Sequence, residues 1–214
     1  MVVTSTTATQ NREPRMLRFP LAVFVSVFAL AMASSAAQAY PMEFTAALNG
    51  PSESPPNASA GIGLADVFYD STLHTLQVHV SFSGLTGDTT ASHIHCCTAI
   101  PFVSTAGVAT VTPSFTGFPL GVTAGVYDSP VFDLSTVGGF NGAFITANGG
   151  TPASAEAALF TGLMSGESYL NIHSTFKPGG EIRGFLVFVP EPLTLSLFGA
   201  GLAGMAALKR RRRA

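Results

Sequence analysis

Leu76-Gln77-Val78-His79-Val80-Ser81-Phe82 alternates apolar and polar side chains without a break. Successive side chains of an extended chain point to opposite faces, so the stretch predicts a strand with one face in a core and the other in solvent. Outward from it, short β-type runs recur at residues 43–48, 61–69, 92–96, 107–112, 125–134, 168–174 and 181–189. Gly84, Gly87-Asp88, Gly138-Gly139, Asn148-Gly149-Gly150 and Pro178-Gly179-Gly180 supply turns between them, and the Pro- and Ser-rich residues 50–60 read as a loop. Residues 154–164 break the pattern: they are Ala-rich, with Thr161 the one β-branched side chain. Thr151 or Ser154 can cap a helix there and Gly166 can end it. Many short strands and one short helix predict an all-β chain, an antiparallel β-sandwich or barrel.

Both ends read as addresses rather than as fold. Arg12, Arg15 and Arg18 precede an apolar run at 19–33, and Ala37-Gln38-Ala39 offers a small-x-small cleavage site. The expected signal peptide is 1–39, cut by signal peptidase after Ala39, with translation starting at Met1 or Met16. A permanent anchor would need a longer apolar run, roughly 20 residues. At the other end, Pro190-Glu191-Pro192 leads into the apolar, uncharged residues 193–208 and then Lys209-Arg210-Arg211-Arg212-Arg213. This order predicts a helix held in the inner membrane, with its basic cluster on the cytoplasmic side. The domain then runs over 40–188 and the tail over 189–214.

Setting the ends aside changes the electrostatics. The whole chain has a formal charge of −2, but only Lys177 and Arg183 remain between residues 40 and 189. They face ten carboxylates there, a net charge near −8. An acidic domain repels polyanions, which excludes nucleic acid as a partner.

Few residues suggest chemistry. His93 and His95 are spaced i, i+2, so on a strand they share a face. Asn171 and His173 share a face by the same rule. If the two strands are neighbours, His93, His95 and His173 converge, and three imidazoles with open positions suit Zn²⁺ or Cu²⁺. The competing reading is three histidines satisfied by local hydrogen bonds. His74 and His79 have no such companions. Cys96-Cys97 has three readings: a vicinal disulfide, two soft-metal ligands beside the histidines, or free thiols in a turn; an exported protein favours the first. Glu181 and Arg183 are also two apart on one strand face, which suggests a structural role as an ion pair, with each other or across strands. Asp66, Asp70, Asp128 and Asp133 form no calcium-loop pattern. No nucleophile–base order, phosphate loop or dinucleotide fingerprint appears, so the chain reads as non-enzymatic.

Two stretches resemble known families. Pro190-Glu191-Pro192, the apolar helix and the arginines together resemble the PEP-CTERM sorting signal of Gram-negative bacteria, which implies processing by an exosortase. The domain resembles the CHRD (chordin-type) family. The resemblance rests on residues 43–48 with the Pro-rich 52–56, the strand 76–85, His93-Ile94-His95, and Tyr169-Leu170-Asn171-Ile172-His173 leading into Pro178-Gly179-Gly180-Glu181-Ile182-Arg183-Gly184. Cys96-Cys97 departs from the family pattern, where Gly and Pro are common after the paired histidines. The resemblance implies an all-β extracellular domain and brings no established catalytic residues. The export signals at both ends and an acidic β-domain without a catalytic constellation predict a cell-surface or matrix protein that binds a protein, polysaccharide or metal partner outside the cell.

Overall fold

The computed structural model describes residues 41–190, with the isolated positions Met1, Leu197, Gly201 and Lys209. The expected signal peptide with its cut after Ala39, Glu191 and Pro192 of the sorting motif, and the apolar helix 193–208 lie outside the described residues, apart from those isolated positions. No helix among the described residues is long and apolar enough to cross a membrane.

The alternating stretch is the strand β3, Thr75–Ser83, and it buries Leu76, Val78, Val80 and Phe82 on one face. It pairs antiparallel with β2 (Ile62–Asp70), which pairs with β1 (Met42–Asn49). Registers Phe44↔Val67↔Val78 and Ala46↔Ala65↔Val80 stack the buried side chains in rows across all three strands. Each fully buried Leu, Val or Phe contributes roughly 1.5–3 kcal/mol. The remaining strands are β4 (Thr89–His95), β5 (Gly125–Asp128), β6 (Phe132–Asp133), β7 (Tyr169–Ser174), β8 (Ile182–Phe185) and β9 (Val187–Val189).

Among the described residues, the nine strands belong to one sheet of order β4-β7-β8-β1-β2-β3-β5, with β6 on β3 and β9 on β1. The chain is mostly β, but the expected two-layer sandwich or closed barrel is replaced by one curled antiparallel half-barrel. Two helices and long loops take the place of a second sheet. Helix α1 spans Gly142–Ala147 and was not expected; Asn141 caps it. Helix α2 spans Pro152–Met164, capped by Thr151 with Pro152 in its first turn. It buries Ala155, Leu159 and Leu163 in the same core as Ile94, Leu170 and Ile172.

Three expected strands differ. The run 125–134 divides into β5 and β6, because Pro130 has no N–H for the ladder. The run 181–189 divides at Leu186, which turns into the core and donates its N–H to the Ser168 carbonyl. Residues 107–112 form no strand: Val108 makes a single bridge to His95, and Pro113 follows.

Candidate metal centre

Strands β4, β7 and β8 carry the site. The register sets His93 opposite Asn171 and His95 opposite Tyr169, and sets Asn171 opposite Arg183 on the other side. His173 shares this face of β7 with Tyr169 and Asn171. The opposite face presents Ile94, Leu170, Ile172 and Ile182 to the core. One sheet therefore builds an apolar surface on one side and a polar cluster on the other.

His93, His95 and His173 converge, and one ring nitrogen from each lies within 4.8 Å of the others. Each ring is held by a backbone carbonyl. His93 Nε2 is 2.7 Å from the Pro113 oxygen, His95 Nδ1 is 2.9 Å from that of Ala106, and His173 Nδ1 is 2.8 Å from that of Pro178. A carbonyl only accepts, so the single N–H of each neutral ring points outward to it. The inward nitrogens, His93 Nδ1, His95 Nε2 and His173 Nε2, are then three lone pairs facing one another. Two of them, His93 Nδ1 and His173 Nε2, are 3.4 Å apart, and His95 Nε2 is buried without a partner. His95 stacks flat on Tyr169 at a centroid distance of 4.8 Å.

Burial holds all three imidazoles below their ordinary protonation range, His95 down to about 4, with the carbonyl bonds opposing. They are neutral at pH 7, the form that ligates metal. For a metal with bonds of about 2.0–2.1 Å in tetrahedral geometry, ligand nitrogens sit roughly 3.3–3.4 Å apart. The His93–His173 separation matches that edge. The donor set is all nitrogen, which suits Zn²⁺ or copper and does not suit Ca²⁺ or Mg²⁺.

The other sequence candidates separate from this centre. Cys96 and Cys97 are joined to each other by a disulfide. Strand alternation turns Cys96 away from His95, and the sulfurs pack beside Gly162 and the Ala158 carbonyl of α2. They are not part of the histidine cluster. The expected Glu181–Arg183 pair is not formed. Glu181 precedes β8, and its buried carboxylate accepts from Ser59 Oγ, Ser174 Oγ, and the Thr86 and Gly87 amides. Arg183 pairs with Glu53 at 3.7 Å, donates to the Ser104 carbonyl, and lies over the Tyr169 ring at 4.6 Å. His74 meets Glu156, and His79 meets Asp128 across β3 and β5. Asp66 accepts from Thr45, and Asp70 and Asp133 close local turns. Among the described residues, no other group of three His, Cys, Asp or Glu side chains converges in this way.

Glu53 is the site residue that sequence reasoning missed. It comes from the Pro-rich loop, is 7% exposed, and accepts from Asn171 Nδ2 at 3.0 Å. Burial raises its carboxyl to about 7, against the pull of Arg183. Its position in a Pro/Ser loop carries no periodicity that could have marked it.

The class is a mostly β domain: one curled antiparallel sheet with a polar histidine face. The CHRD domain family model matches residues 44–186, and the chain belongs to the CHRD family. That membership points to a binding domain of an extracellular protein. No curated protein and no solved structure matches the chain.

Proposed function

We propose that the chain is a non-enzymatic, exported binding domain whose His93–His95–His173 centre holds a Zn²⁺ or copper ion outside the cytoplasm. The observation that carries this reading is the set of three inward lone pairs, each fixed by a carbonyl behind its ring. Outer hydrogen bonds of this kind fix the tautomer and aim of ligating histidines. The two address segments support export: a signal peptide cut after Ala39, and a tail at Pro190-Glu191-Pro192 processed by an exosortase. On this reading the acidic domain presents its centre to a protein or polysaccharide at the cell surface.

Equilibrium dialysis against Zn²⁺ and Cu²⁺ tests the binding half. One equivalent retained by the wild type and lost in His93→Ala/His173→Ala supports it. Less than about one-tenth equivalent in the wild type ends it. Fractionation of a Gram-negative host, with and without an exosortase gene, tests the address. Cytoplasmic retention in both strains would contradict export.

A further inference from the structure

Besides His95 Nε2, a second polar atom on this face of the sheet is buried and unsatisfied: Asn171 Oδ1. Asn171 is 2% exposed, sits directly opposite His93, and is two residues from His173 on the same face. Opposed residues on neighbouring antiparallel strands have Cβ atoms about 4.5–5.5 Å apart. The amide cannot simply be turned over. With Glu53 ionised beside Arg183, its carboxylate accepts from Nδ2, so the oxygen is the atom left free. Gly180 backs onto this pair at φ 134°, and a Cβ there would collide with both Asn171 Nδ2 and Glu53 Oε1. The turn Pro178-Gly179-Gly180 therefore clamps the amide and, through the Pro178 carbonyl, also aims His173.

A buried carbonyl oxygen without a donor has lost its hydration and gained nothing in return. Three histidines leave a tetrahedral metal with one open position. A single group would satisfy both deficits: a ligand on the metal that carries a hydrogen-bond donor. Resting on the metal reading above, we propose that the centre is an open site. Its fourth position takes water or another small O–H ligand, and Asn171 Oδ1 selects that ligand by accepting its hydrogen bond. Pure acceptor anions are disfavoured, because they would set a negative atom against the amide oxygen. Asn171 is then a positioning residue that acts on the exogenous ligand.

The test uses the full chain loaded with one equivalent of Cu²⁺. Electron paramagnetic resonance in ¹⁷O-enriched water should show line broadening from a coordinated water in the wild type. Azide should bind the copper at least tenfold more tightly in Asn171→Leu than in the wild type. Copper retained at one equivalent without ¹⁷O broadening overturns the open site and leaves the metal reading intact. Azide affinities within twofold of each other overturn the role of Asn171. Failure of the wild type to retain copper or zinc removes both readings. If Asn171→Leu does not fold, the ¹⁷O measurement on the wild type still decides whether the position is open.

Discussion

His93 Nδ1 faces His173 Nε2 at 3.4 Å, and both atoms are lone pairs, because each ring donates its N–H to a carbonyl on its far side. Without an ion this contact is repulsive. His173→Gln should therefore behave differently in two media. In excess chelator the variant should melt at or above the wild-type temperature. With saturating Zn²⁺ the wild type should gain several degrees that the variant does not, since a ligand that binds only the folded state stabilises it. Thermal scans of both proteins check this.

The pH dependence has two opposing parts. The three histidines have lowered values in the fold, so their contribution is present above the ordinary imidazole value and is lost as pH falls through the lowered ones, about 4 for His95. Glu53 works the other way. Its value is raised from 4.5 to about 7, so its contribution is full below 4.5 and is lost as pH rises through 7. Glu53→Gln removes only the second part. Relative to wild type the variant should gain on the order of 1–3 kcal/mol between pH 5 and pH 8. Urea titrations at the two pH values measure it.

Low pKa values also shape metal binding. Protons compete with a metal only where the imidazoles titrate. Zn²⁺ affinity should therefore fall less between pH 7.5 and 6 than it does for free imidazole, which loses much of its capacity over that range. Calorimetric titration at the two values gives the comparison.

Glu181 ties together the loops after β1, β3 and β7. It is fully buried, and four hydrogen bonds from Ser59, Ser174, Thr86 and Gly87 end on its carboxylate. Burial alone would raise its pKa, but these donors, Ser174 first, hold it below the usual range. Glu181→Gln places an NH₂ against amide donors and should cost roughly 2–4 kcal/mol. Denaturant unfolding measures the loss.

Gly162 lies on the buried face of α2 with both sulfurs of the Cys96–Cys97 disulfide against it, and an added Cβ would collide with them. Gly162→Ala should destabilise the fold by roughly 1–3 kcal/mol, despite the better helix propensity of Ala. Intact mass should rise by about 2 Da on reduction, as the Cys96–Cys97 disulfide requires.

Much of the fold was legible where periodicity is local. The alternation at 76–82 marks β3, and Thr151 with the Ala-rich run marks α2. Helix α1 was hidden because Gly142, Ile145 and Thr146 are weak helix formers. A single curled sheet looks like a sandwich in sequence, because strand order is set by contacts between distant residues. The paired faces of His93, His95, Asn171 and His173 followed from the period of two. Their union did not, since it depends on the β4–β7 register. Glu53 and the carbonyls of Ala106, Pro113 and Pro178 come from loops, where no spacing rule applies.

X-ray absorption at the metal edge of the Zn²⁺-loaded protein reads the coordination shell of the His93–His95–His173 centre. Three imidazole nitrogens and one further light atom are expected at about 2.0–2.1 Å, with no sulfur. Fewer than two imidazoles, or sulfur at about 2.3 Å, would contradict the three-histidine centre.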